Sequence, residues 1–323
     1  MVLSRRAVLA PLVASSSGGS RLLASVLPAL SMAPPHTPLI RADQAAQMVH
    51  QRVLEKPALA GTLLRLAFHD CITRDQGEGG SNGSILWELD LRENRHLSVA
   101  VEALMPIHTT IGGSFADLVA IAGAAAVATA GGPKIPIERI GIGRVDSTQP
   151  DPMRLARPIG ERGCPPKPKE CRGAVRSALP EPGLDTDGIR RFFSRVGFDE
   201  RETVALCGAH TLGRHASLLG VSAACLRQKQ GLTDDCIESG RRLPFVSGDP
   251  DEFSASYFKR LLEWYDQSLA PDAAYFIPTD VVLTLDARYY KIVKEFAKDE
   301  SSFFKAFTSA YVKLVHIGFK GDD

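Results

Sequence analysis

Apolar residues recur at helical spacing along most of this chain, and almost nowhere do they alternate as a half-buried strand requires. In residues 43–55, Ala46, Met48, Val49 and Val53 keep to one side, and Pro57 ends this helix or opens the next. Residues 61–71, GTLLRLAFHDC, predict a helix with Arg65, Phe68 and His69 at i, i+3 and i+4, and therefore on one face. Residues 97–112 and 114–132 predict two more helices. The second is apolar nearly all round, which places it deep in the core, and Gly131, Gly132 and Pro133 stop it. Residues 135–144 read as a short strand or an irregular loop, and the proline-rich stretch 145–183 as a long connection between lobes. Further helices are expected at 185–196, capped by Asp185 or Thr186, and at 199–212, where Asp199 and Glu202 have the spacing of a capping box. Residues 218–250 are loop-rich. Amphipathic helices follow at 253–265, with Tyr257, Phe258 and Leu261 inward, and across 288–318, with Tyr290, Val293, Phe296, Phe304 and Phe307 inward. The fold class is mainly α, with no internal repeat.

Composition narrows the function classes. A hydrophobic content of 44% over 323 residues is enough for a large core, and a net charge of +1 gives no electrostatic case for nucleic acid or an anionic membrane. No uninterrupted apolar run reaches the roughly 20 residues of a bilayer span, so the mature chain is expected to be soluble. Residues 1–33 carry Arg5, Arg6 and Arg21, several serines and no acidic residue, the composition of a targeting peptide. An organelle transit peptide fits it, and SRRAVLA at 4–10 also fits a twin-arginine signal. The expected organisation is a targeting peptide at 1–33, a first lobe at 34–165 and a second at 166–323, with the last helix free to pack back on the first lobe. Of the six cysteines, Cys164 with Cys171 and Cys225 with Cys236 are close enough in sequence to bridge. Cys71 and Cys207 read as buried thiols, and the spacing excludes a zinc site.

Taken alone, a buried arginine beside a buried histidine fits a core helix whose Arg reaches water and whose His meets a backbone carbonyl. The neighbouring sequence adds more. RLAFHD at 65–70, GGSNGSI at 79–85 and the Glu88 and Asn94 of WELDLREN resemble the distal side of the plant, fungal and bacterial haem peroxidase superfamily. VALCGAHTLGR at 204–214 resembles its proximal histidine helix, and FIPTDVVLTLD at 276–286 the segment with its proximal aspartate. The resemblance covers residues 45–319 in the family's order. It implies a two-lobed α fold holding haem b, with hydrogen peroxide and a small-molecule reductant as substrates.

Carried over residue by residue, the resemblance makes His69 the distal acid/base and Arg65 the cation that stabilises the departing oxygen. Asn94, with Glu88, holds the His69 ring, and Phe68 closes the pocket. On the other side His210 is the axial ligand to haem iron, Asp280 its carboxylate partner and Phe245 the ring beside it. Thr211 matches a residue of a proximal cation site that Val246 and Ser254 do not complete. Asp70, Asn82 and Ser84 resemble a distal calcium site lacking one carboxylate, so K⁺ or Ca²⁺ remains open. Phe68 and Phe245 stand where ascorbate and cytochrome c peroxidases have tryptophan, and the arginine that grips ascorbate falls near Leu219. This mixture is similar to the ascorbate peroxidase-related group of plants and algae. It implies an aromatic or phenolic donor and a chloroplast address, with the thylakoid lumen, the mitochondrion and export as alternatives. An ascorbate-using enzyme and a non-catalytic haem carrier or sensor are the competing readings.

Overall fold

The computed structural model describes residues 40–74, 77–151, 179–180, 184–216 and 242–319. The targeting peptide, the expected lobe boundary at 165/166, Leu219 and the cysteines Cys164, Cys171, Cys225 and Cys236 lie outside them.

The first part of the described chain is α1 (Ala42–Glu55), α2 (Leu59–Cys71), α3 (Ser98–Ile111) and α4 (Phe115–Thr129). The nearly all-apolar α4 is the central rod, with α1 and α2 packed against it. Its start is well specified: Ser114 accepts the amide hydrogen of Asp117, and Asp146 accepts those of Phe115 and Ala116 at 2.8 Å each. These bonds satisfy donors that a helix start otherwise leaves open. Among the described residues no single helix is long and apolar enough to cross a membrane.

The second part contains α6 (Thr186–Arg195), α7 (Glu200–Cys207), α8 (Ser256–Tyr265), α9 (Pro278–Val281), α10 (Ala287–Lys298) and α11 (Glu300–Val315). Asp199 and Glu202 form the expected capping box, and Asp185 is the cap of α6. A short antiparallel pair, β1 (Arg214–Ala216) and β2 (Arg242–Pro244), aligns His215 with Leu243. Phe253, Phe258, Phe296, Phe303 and Phe307 build an aromatic core between α8, α10 and α11. The last helix also packs on α7 and on α2, joining both parts of the chain.

Several expectations are corrected. Of the two readings of residues 135–144 the irregular loop holds and the strand does not, and the loop contains the single helical turn α5 (Ile137–Ile140) and buries Arg144. Along α10 and α11, Val293, Phe296 and Phe307 point inward as expected, but Tyr289 and Phe303 take the inward places of Tyr290 and Phe304, which are half-buried. In each case adjacent aromatics offered two stripes, and tertiary packing chose the other one. The helix expected from residue 253 starts at Ser256, because Phe253 is spent on a turn whose amide bonds Ala130 O at 2.7 Å. Cys71 is buried, and its thiol is pushed up to about 12 by that burial, whereas Cys207 is only half-buried.

Candidate active site

The distal residues sit on α2, one turn apart. His69 is 8% exposed, and its Nδ1 lies 2.8 Å from Asn94 Oδ1. An amide oxygen can only accept, so the ring carries its hydrogen on Nδ1 and presents Nε2 as the basic nitrogen. Asn94 is held in turn: its Nδ2 donates to the Glu88 carbonyl at 2.8 Å. Glu88 therefore reaches Asn94 through its main chain. Its side chain turns the other way and accepts the Asp151 amide hydrogen at 3.0 Å.

Arg65 is tied to the same turn. Its guanidinium donates to the carbonyl of Arg95 at 2.8 Å and, through Nη2, to that of Glu93. Burial, and the neighbouring Arg242 cation, lower its pKa to about 10. A cation in such a place favours a negative charge arriving beside it. Phe68, next to His69, has its ring 6.4 Å from that of Phe193.

The proximal residues come from three segments. After Cys207, α7 tightens into the 3₁₀ turn Gly208–Thr211, which carries His210. Only glycine suits position 208, since a Cβ there would come within 2.6 Å of the Phe303 ring. His210 Nδ1 lies 2.7 Å from Asp280 Oδ1, in a pair whose carboxylate side is 1% exposed and whose imidazole side is 33% exposed. The Ile277 amide donates to Asp280 Oδ2 at 2.9 Å, and the Tyr257 hydroxyl to Oδ1 at 2.8 Å. Burial, and then the Asp280 charge, push the Tyr257 phenol well above its ordinary value. Phe245 stacks on the His210 ring at 4.0 Å between centroids, with 9° between planes. Strand β2 delivers it there, and Phe245 O accepts the amide hydrogen of Tyr275 at 3.0 Å.

The two sides meet at a close backbone approach, where a Cβ on Gly61 at the start of α2 would lie 2.9 Å from Gly213 Cα. Neighbours of Thr211 and Asp70 bear on the ion expectation. Thr211 Oγ1 bonds Ser256 Oγ at 3.0 Å, and Asp70 accepts the amide hydrogens of Gly83 and Ile85. Asn82 donates to Asp151 at 2.8 Å. Among the described residues no group of three or more His, Cys, Asp or Glu is set to hold a metal ion.

The donor set fits a haem. With Nδ1 of His210 committed to a buried carboxylate, Nε2 is the nitrogen that could coordinate a metal, and the hydrogen-bonded carboxylate would raise its basicity. A second histidine with its tautomer fixed, an arginine and a phenylalanine share the face of α2. Sequence reasoning found all of these residues but passed over two. Tyr257 was read only as an apolar-face residue, although a buried tyrosine in a Phe/Leu stripe already signals a hydroxyl in need of a partner. Asp151, inside the proline-rich stretch, carried no signal of its own.

Comparison with known proteins identifies the family. The family model described as "Peroxidase" matches residues 45–299. An Arabidopsis thaliana protein that carries an L-ascorbate peroxidase name is 34% identical over 278 residues, covering 84% of this chain and 67% of its own length. L-ascorbate peroxidase 5, peroxisomal, also of Arabidopsis thaliana, is 34% identical over 267 residues, 80% of this chain and 76% of its own. Cytochrome c peroxidase, mitochondrial, of Emericella nidulans is 30% identical over 284 residues, 85% of this chain and 68% of its own. Across the plant relatives of this kind the chain spans between 56% and 81% of their length. A match that takes in α2, the histidine turn and the aspartate of α9 together, and extends to plant and fungal relatives alike, places this chain in the haem peroxidase superfamily, within its ascorbate peroxidase-related group.

Proposed function

We propose that this chain is a haem-dependent peroxidase that reduces hydrogen peroxide at the expense of a small aromatic, phenolic donor. The observation that carries the reading is the His69–Asn94 pair at 2.8 Å beside Arg65. A haem carrier needs His210 and a pocket but has no use for a distal base of fixed tautomer. Haem b, held without covalent attachment because the sequence has no C-x-x-C-H, would supply the iron for breaking the peroxide bond. His69 Nε2 takes the proton from hydrogen peroxide and gives it to the leaving oxygen, while Asn94 keeps the other ring nitrogen protonated. Arg65 stabilises the negative charge that develops as the oxygens separate. His210 Nε2 would hold the haem iron, made more electron-rich by the Asp280 carboxylate on its other nitrogen.

The donor is argued from Phe245, a ring far harder to oxidise than tryptophan, and from the stretch near Leu219, where the ascorbate-gripping arginine would fall and no arginine is matched to it. Ascorbate is the second reading, favoured by the names of the plant relatives. A chloroplast address rests on residues 1–33 and on relatives named as chloroplastic, such as L-ascorbate peroxidase T of Arabidopsis thaliana. Fusion of residues 1–33 to a fluorescent protein tests it.

Stopped-flow mixing of the haem-loaded protein with one equivalent of peroxide, followed by a donor panel, tests the activity. His69→Ala should slow the peroxide step by at least ~10²-fold, and Arg65→Ala by a smaller factor, with haem binding kept in both. Unchanged rates would return the chain to the carrier or sensor class. A kcat/KM for ascorbate above that for a phenol would give the donor assignment to the second reading.

A further inference from the structure

Phe245 covers one face of the His210 ring and has no accessible oxidation, yet the proximal pocket does contain an oxidisable ring. Tyr257 is fully buried, and its ring stands edge-on to His210 at 6.1 Å between centroids. Its hydroxyl donates to Asp280 Oδ1 at 2.8 Å, the same oxygen that accepts from His210 Nδ1 at 2.7 Å. We infer that Tyr257 holds one oxidising equivalent as a neutral tyrosyl radical during turnover. The inference rests on the peroxidase reading above and deepens it.

A phenol in an apolar interior gives up an electron readily only if its proton has somewhere to go, because a buried uncompensated cation is costly. Here the acceptor is in place. The O–H bond of Tyr257 breaks, its proton moves to Asp280 Oδ1 to form a carboxylic acid, and its electron passes to the haem oxidised by hydrogen peroxide. Tyr257 is oxidised by one electron and the haem centre reduced by one. The organic donor later returns an electron by way of the haem, and the proton goes back from Asp280 to the phenolate oxygen. Each proton transfer follows one existing hydrogen bond.

The other tyrosines are placed differently. The Tyr311 hydroxyl donates to the Ala120 carbonyl, which cannot take a proton, and that of Tyr275 donates to the exposed Asp272. Tyr265 and Tyr290 face each other with ring centroids 4.6 Å apart on the outer sides of α8 and α10. Tyr289 is buried, but the Arg190 cation lies over its ring, 5.3 Å from the centroid, which opposes loss of an electron there.

Freeze-quench electron paramagnetic resonance on the full haem-loaded chain, grown with ring-deuterated tyrosine and mixed with one equivalent of hydrogen peroxide, tests the inference. The expected result is an organic radical whose spectrum narrows on deuteration and is lost in Tyr257→Phe, leaving a porphyrin-type signal. Should that variant fail to hold haem, the protein with Tyr265, Tyr275, Tyr289, Tyr290 and Tyr311 all replaced by phenylalanine must keep the deuterium-sensitive signal. A radical insensitive to deuteration, or a tyrosyl signal that survives Tyr257→Phe or disappears when the other five tyrosines are replaced, overturns the inference while peroxidase activity stands. A haem spectrum that peroxide leaves unchanged takes down the activity and the inference together.

Discussion

An amide oxygen and a carboxylate both accept a hydrogen bond from an imidazole Nδ1, but they leave the ring in different electronic states. Asn94 fixes the His69 tautomer without charge, which suits a base that must pick up and release a proton. Asp280 brings a buried carboxylate to His210 and, in the proposed role of His210, would make its other nitrogen a stronger ligand. Asp280→Ala should therefore lower haem affinity or peroxide reactivity by about 10- to 100-fold, the usual cost of losing a partner of a metal ligand. It should also raise the ferric/ferrous reduction potential, which spectroelectrochemistry reads directly; an unaltered potential would mean that the carboxylate does not act through His210. At this scale the sequence was legible wherever the chemistry sits in a short contiguous motif. RLAFHD and GAHTLG named Arg65, Phe68, His69 and His210, and the structure puts Phe245 on His210 even though β2 carries no such motif. Tyr257 escaped because its partner, Asp280, lies 23 residues away, and nothing in a stripe of apolar residues says which hydroxyl will meet it.

The helices that carry these residues were readable from period and caps, and where two aromatics stood side by side the period alone could not choose. Docking was not readable at all. The short α7, which leads into the His210 turn, is held to α10 by Arg201, whose two terminal nitrogens bond the Glu295 carboxylate at 2.8 and 2.6 Å. The Arg201 hydrogen bond, and then that of Ser302, draw Glu295 from its ordinary 4.5 down to about 2. A carboxylate depressed in the fold contributes stability in full above its unfolded value and loses it as pH falls towards the folded one. The window here runs from 4.5 down to about 2. Both partners are about two-fifths exposed, so the contribution is small and screened by salt. Glu295→Gln should leave the melting temperature less sensitive to acid across that window than in the parent, and little changed in slope between pH 6 and 8. Parallel slopes in the acid window would show that the pair adds nothing to the docking of α7.

Across the whole molecule, the part of the chain bearing the distal helix and the part bearing the histidine turn must unfold together if a shared pocket is to stay shaped. Arg144 is one reason they do. It is 4% exposed and lies in a loop that period and propensity left undecided. From there it donates to Asp117 Oδ1 at 2.9 Å and Ser81 Oγ at 2.9 Å, to the carbonyls of Ile140 and Gly141, and to that of Val315 at 2.8 Å. The last bond crosses 171 residues and pins the end of α11 to the distal side, a pairing for which no local sequence pattern exists. The guanidinium also lies over the Phe319 ring, 4.1 Å from its centroid. Removing one partner of a buried, hydrogen-bonded ion pair leaves the other charge without its counter-ion, at a cost of about 3–5 kcal/mol. Asp117 keeps only the amide hydrogens of Gly143 and Arg144, and the carbonyl of Val315 loses its donor. Arg144→Ala should thus lower the urea midpoint by an amount equivalent to that range and reduce haem retention with it. Arg144→Lys, which restores a point charge but not the planar fork, should fall between the two. The check is denaturant unfolding followed both by far-ultraviolet dichroism and by haem absorbance. Coincident transitions, shifted together, are expected; a midpoint moved by less than about 1 kcal/mol, the scale of an exposed pair, would mean that α11 is held to the distal side by apolar packing alone.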